Sequence, residues 1–243
     1  MLRLSTTRPV AALALLAATA CSRNEAAGRE AAGAATAAPA SASPVTAGEE
    51  QALARADAAR IVGDSAAPLW LVVVSDFQCP YCKTWEDQTA PAIMSDYVRT
   101  GRVRMAFVNL PLSMHPNAGP AAEAAMCAGA QDRFWPVHEA IFATQPRWAG
   151  AADPPRIFDS LAVASGVDAA SYRACIAAGT MRPLVRADVQ RAEQAGVRST
   201  PTFMISSRAQ PNAQPAAIQG AAPAATFRAV LDSMLRVSAG SGR

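Results

Sequence analysis

Cys79-Pro80-Tyr81-Cys82 constrains this chain more than any other feature, because of what stands on either side of it. Before it runs Pro68-Leu-Trp-Leu-Val-Val-Val74, continuous, apolar and rich in β-branched residues, the pattern of a strand buried on both faces. After it comes a helical stretch towards Thr100, with Pro80 in the first turn, where its missing N–H costs nothing. Pro91 is expected to kink or end that helix. Val103, Met105 and Phe107 then alternate along a second strand from Arg102 to Leu110. The thiol pair therefore sits at the strand-to-helix junction of a β-α-β unit. A sulfur at a helix start lies beside unpaired N–H groups that stabilise a thiolate. Cys79 is accordingly read as the nucleophile, and Cys82 as the thiol that resolves a mixed disulfide.

The same spacing is also half of many zinc sites, but zinc needs two further ligands at matching spacing. The chain offers only His115, His138, Cys127 and Cys175, all distant in sequence, so neither metal nor other cofactor is expected. His115, before Pro116, reads as a loop residue, and His138 as a helix-surface residue; neither is assigned a catalytic role. Trp70, Trp85, Trp135 and Phe77 read as core or cleft-wall residues.

From about 117 to 196 the pattern is helical. A strand returns at Thr202-Phe-Met-Ile205, opened by Pro201, and a short strand near Ala217 to Gln219 follows a polar turn. Phe227, Val230, Leu231, Met234 and Leu235 mark an amphipathic last helix. Strand, helix, strand, helical insert, hairpin and helix make an α/β chain, a thioredoxin fold with an inserted helical domain.

The ends carry different information. Arg3 and Arg8 precede an apolar run from Val10 to Ala18, too short to span a bilayer, so residues 1–20 read as an export signal. Leu15-Leu-Ala-Ala-Thr-Ala-Cys21 resembles a bacterial lipoprotein cleavage box, with Ala18 where leucine is usual. Cleavage there would leave Cys21 as a lipidated first residue; ordinary signal cleavage nearby would leave it an incidental thiol. Five cysteines are an odd number, and lipidation of Cys21 would leave four, enough for two disulfides. Residues 21–48 are Ala-rich and almost without branched apolar side chains, the composition of a flexible tether. A lead-in helix is expected over 49–60 and the folded domain over 61–238. The net charge of +3, with no basic run, gives nucleic acid no electrostatic footprint.

Asp76-Phe-Gln-Cys-Pro-Tyr-Cys82, with His115-Pro116, Cys127, Phe134-Trp135, His138, Cys175 and Gly196-Val-Arg-Ser-Thr-Pro-Thr-Phe203, resembles the DsbA-like family of exported disulfide oxidoreductases, from about Ile61 to Val237. The resemblance implies Cys79 as nucleophile, Cys82 as resolving cysteine and Pro201 as a cis proline facing them, which leaves the Thr200 backbone open to an extended substrate. It also implies exported cysteine-containing polypeptides as clients, a membrane redox partner and a periplasmic or cell-envelope location, with Cys21 as lipid anchor. Cys127 and Cys175 read either as buried free cysteines or, in an oxidising compartment, as a structural disulfide, which some relatives carry. Two departures stand out. Val73 occupies the position where many relatives bury an acid under the thiol pair, and Asp76 lies on the other side of the turn. Tyr81 replaces the histidine of the most oxidising relatives, which argues for a milder potential. The alternative function is a lipid-tethered thiol-binding chaperone or assembly factor for cysteine-containing or metal-site proteins. Turnover of a dithiol substrate separates the two.

Overall fold

The computed structural model describes residues 46–240; the expected signal segment, Cys21 and most of the expected tether lie outside them. Thr46 opens helix α1 (Ala47–Ala59) with a capping box: its hydroxyl accepts from the Glu49 N–H, and the Glu49 carboxylate accepts from the Thr46 N–H at 2.8 Å. The two-residue strand β1 (Ile61–Val62) follows, too short to be legible as a period. Strand β2 (Leu69–Ser75) is the middle strand of a five-stranded sheet, its Leu69, Leu71, Val73 and Val74 all buried.

Helix α2 (Pro80–Gln88) breaks at Thr89, two residues before Pro91, and resumes as α3 (Ala90–Ile93), which runs on through a wider π turn over Met94–Val98. Strand β3 (Val103–Asn109) returns parallel to β2, pairing Leu69 with Val103 and Ser75 with Asn109. Gly63 allows the chain to pass close by at this edge. It has φ +102°, and a Cβ there would lie 2.7 Å from the Val103 carbonyl oxygen.

Six helices come next: α4 (Ala118–Gly129), α5 (Phe134–Ala143), α6 (Gln145–Trp148), α7 (Pro154–Ala164), α8 (Ala169–Ala178) and α9 (Arg182–Gln194). α4 is built largely of alanine because it is buried on nearly every side; Gly129 lets Ala56 of α1 pack onto it. Strands β4 (Thr202–Ser207) and β5 (Ala216–Gln219) complete the sheet in the order β1-β3-β2-β4-β5, with β4 antiparallel to both β2 and β5. Helix α10 (Ala224–Gly240) closes the chain. Its Phe227 meets Phe203 edge-on at 4.7 Å between ring centroids, and Trp85 of α2 meets Phe203 at 4.7 Å, so these rings fix both helices to the sheet. The result is an α/β thioredoxin fold with helices α4–α9 inserted between β3 and β4.

One reading is corrected. His138 is not on the helix surface: it is 2% exposed and ringed by Phe77, Phe107, Phe134, Trp135 and Phe142. The inward face of α5 runs through Phe134, Val137, His138, Ile141 and Phe142, so three- and four-residue spacing places the imidazole inside. A buried polar network joins α1, β3 and α9. Arg60 donates to Asp188 and to the Phe107 carbonyl, while Asp188 accepts from the Asn109 backbone and side chain at 3.0 and 2.8 Å. Paired on all sides, the Asp188 carboxylate can be fully buried.

Candidate active site

The end of β2 and the start of α2 position the thiol pair. Cys79 is the N-cap of α2, in extended conformation, so its sulfur lies where the first N–H groups of the helix point. The approach loop is folded by Asp76, whose Oδ1 accepts from the Gln78 N–H at 2.7 Å and whose backbone oxygen accepts from the Cys79 N–H at 3.1 Å. The helical insert clamps the loop from outside. Gln145 donates its side-chain amide to the Phe77 and Cys79 carbonyls at 2.7 and 3.0 Å. Gln78 donates to the Ala149 carbonyl at 2.8 Å and accepts from the Asn117 N–H at 2.6 Å.

Cys79 and Cys82 are both buried and not bonded to each other, and their environments pull them apart. Cys79 is lowered from an ordinary thiol to about 5, chiefly by hydrogen bonding from the Cys82 thiol. Burial opposes this, while the Thr200 hydroxyl and the N–H groups of Cys82 and Tyr81 add to it. Cys82 is pushed well above an ordinary thiol, first by burial and then by hydrogen bonding to Cys79 and by its negative charge; the Ser75 hydroxyl and the Asp76 N–H oppose the rise. The Asp76 N–H reaches Cys82 Sγ at 3.5 Å.

Across the cleft the Thr200–Pro201 peptide is cis, and the Thr200 carbonyl accepts from the Cys79 thiol at 3.5 Å. The buried Thr200 hydroxyl has no hydrogen-bond partner beside the neutral thiol, which leaves it available to a Cys79 thiolate. Cys79, Cys82, Thr200 and Pro201 are thus brought together. Cys127 and Cys175 form a disulfide joining α4 to α8 inside the helical insert, with Cα atoms 5.9 Å apart. Among the described residues, no group of three or more His, Cys, Asp or Glu side chains is placed to hold a metal ion, and no helix is long and apolar enough to cross a membrane.

Sequence reasoning missed the residues that hold the site: Gln78, Asn117, Gln145 and, most of all, the pairing of Asp76 with His115. Asp76 Oδ2 accepts from His115 Nδ1 at 2.7 Å and from the Leu112 N–H at 2.8 Å. The signal for that pairing lay in two short motifs, Asp76-Phe-Gln-Cys79 and His115-Pro116.

A buried cysteine at a helix start, facing the residue before a cis proline that opens a strand, is the geometry of a thioredoxin-type thiol pair. The chain belongs to the thioredoxin family, matching the family model described as Thioredoxin over residues 55–222. It is 24% identical over 147 residues to the probable disulfide bond formation protein D of Bacillus anthracis, covering 59% of this chain and 68% of that one. It is 34% identical over 155 residues to the Na(+)/H(+) antiporter NhaA 3 of Salinispora tropica, covering 63% of this chain; the chain spans only 22% of that antiporter's length. The crystal structure of Wolbachia pipientis alpha-DsbA1 superposes with a TM-score of 0.68 at 19% identity, covering 76% of this chain and 94% of that one, a likeness of fold.

Proposed function

We propose that this chain is an exported thiol–disulfide oxidoreductase that exchanges disulfides with cysteine-containing polypeptides through Cys79 and Cys82. The observation that carries the reading is the opposed ionisation of the two thiols, one held near 5 and the other well above an ordinary thiol, beside the open backbone of Thr200. In the oxidising direction a client thiolate attacks Cys79 of the Cys79–Cys82 disulfide. Cys82 leaves with the electron pair and takes up a proton. A second client thiolate then attacks the client sulfur of the mixed disulfide, closing the client's own bond and releasing Cys79 as a stable thiolate. A stable leaving thiolate favours this direction. The name of the Bacillus anthracis relative, a probable disulfide bond formation protein, supports it.

Export is supported by the signal-like residues 1–20, and by the Cys127–Cys175 disulfide, since such bonds persist in oxidising compartments. Anchoring through a lipidated Cys21 and recharging by a membrane redox partner complete the proposal. The test is turnover. Purified protein in its disulfide form, with a small-molecule oxidant, should refold a reduced, denatured client catalytically, and Cys79→Ala should not. Stoichiometric binding of clients without turnover would favour the thiol-binding chaperone instead.

A further inference from the structure

We propose that His115, oriented by Asp76, is the proton-transfer residue for the buried resolving thiol Cys82, an inference that rests on the oxidoreductase reading. Exchange moves a proton at Cys82 in either direction. When the active disulfide closes, the Cys82 S–H proton must leave, its sulfur attacks Cys79, the Cys79–client bond breaks and the client departs as a thiolate with the electron pair. When the disulfide is opened by a client thiolate, Cys82 departs with the pair and takes one proton back. Cys82 is fully buried, so that proton needs a carrier.

The strand beneath supplies no acid or base, because Val73 is apolar and buried and Ser75, whose hydroxyl bonds Cys82, is not an acid–base group near neutral pH. What the structure sets beside Cys82 is Asp76. Its N–H reaches the sulfur at 3.5 Å, and its carboxylate is fixed by the Gln78 N–H, the Leu112 N–H and His115 Nδ1. A carboxylate only accepts hydrogen bonds, so Nδ1 donates and Nε2 is left as the basic nitrogen. Nε2 has no protein partner among the described residues, and 17% of the His115 side chain is exposed, so Nε2 is open to water, the carrier the proposal requires between it and the thiol. A base with its far nitrogen pinned by a buried carboxylate is the arrangement that orients acid–base histidines generally. Among the described residues, the titratable groups hydrogen-bonded within this cluster are Cys79, Cys82, Asp76 and His115; on α2, Lys83 turns to Asp87, and Glu86 turns to His138. Asp76 is the positioning residue and His115 the group that gains and loses the proton.

The experiment separates the two thiol steps. Reduced protein is mixed with glutathione disulfide, quenched in acid at intervals and weighed by mass spectrometry, so that attack by Cys79 (mixed disulfide) is distinguished from attack by Cys82 (closed disulfide). His115→Gln should slow the second step at neutral pH by about tenfold or more and flatten its pH profile, as loss of acid–base assistance does. The first step should be unchanged. Asp76→Asn should slow the second step in the same way, and added imidazole should restore it in His115→Ala. A second step unchanged by His115→Gln across the pH range would overturn the proposal, as would a slowed His115→Ala that imidazole does not rescue. A wild-type protein that never forms the mixed disulfide would instead overturn the oxidoreductase reading.

Discussion

Among the described residues the cysteines fall into two pairs of opposite character. Cys79 and Cys82 are two residues apart at a strand-to-helix junction, and their surroundings oppose one another, favouring the charge on one sulfur and suppressing it on the other. Cys127 and Cys175 are 48 residues apart in sequence, bonded, and embedded between two alanine-rich helices. A bond that closes two intervening residues removes little freedom from the unfolded chain. One that spans 48 residues removes far more, worth roughly 4 kcal/mol in the chain-entropy account. Under the proposed function the first pair serves exchange and the second stability, and spacing together with local N–H groups and burial makes the difference.

The sharpest way to break this contrast is to remove one sulfur from each pair. Cys79→Ala should abolish client refolding while leaving the urea midpoint little changed. Cys175→Ala should do the reverse, lowering the unfolding free energy by roughly 4 kcal/mol with exchange by the folded protein retained. If Cys175→Ala instead removes turnover at temperatures where the protein is folded, the division of labour between the pairs is wrong.

A second test uses pH. The Cys79 thiol is ionised at lower pH in the folded protein than in the unfolded chain, so between about 5 and an ordinary thiol value the unfolded state binds more protons. The reduced protein should gain stability as pH rises through that window, and lose that gain as pH falls towards about 5. Cys82 acts in the opposite sense, but only above the ordinary thiol range, where its raised value lies. The disulfide form has no thiol to titrate. Urea midpoints of the two forms measured against pH should therefore change relative to one another as the pH rises; parallel curves would show that Cys79 is not activated by the fold.

Much of this contrast was readable before any coordinates. The β2–α2 junction was legible because strand composition, helix-start proline and thiol spacing coincide within fifteen residues, Pro68 to Cys82. β1 was not, since two residues carry no period. His138, expected on the helix surface, lies inside because Phe134, Val137, Ile141 and Phe142 share its face. The clamp on the thiol loop was beyond reach for a different reason. Gln78, Asn117 and Gln145 act on partners 71, 39 and 68 residues away, and in each bond the partner is a backbone group that leaves no trace in side-chain pattern, or the side chain of Gln78 itself. Asp76 and His115 are 39 residues apart and meet only because Leu112 to Asn117 folds back beside the strand end.

The smallest effect concerns how Cys79 is tuned. The Cys82 thiol favours its thiolate most and the Thr200 hydroxyl less, while burial works the other way. Removing these donors one at a time should therefore raise the Cys79 titration by unequal amounts. In Cys82→Ala the thiolate absorbance of Cys79 should shift upward most. In Thr200→Val the hydroxyl is lost while the side chain keeps nearly the same shape, and a smaller upward shift is expected. The buried Thr200 oxygen has no other hydrogen bond to lose, so Thr200→Val should cost the neutral, disulfide-bonded protein little stability. The backbone carbonyl that accepts from Cys79 remains in place, so client docking along Thr200 should also survive. If Thr200→Val moves the titration as far as Cys82→Ala, the hydroxyl rather than the partner thiol governs the nucleophile. The contrast between the two pairs would then rest on the β4 side of the cleft and not on the helix start.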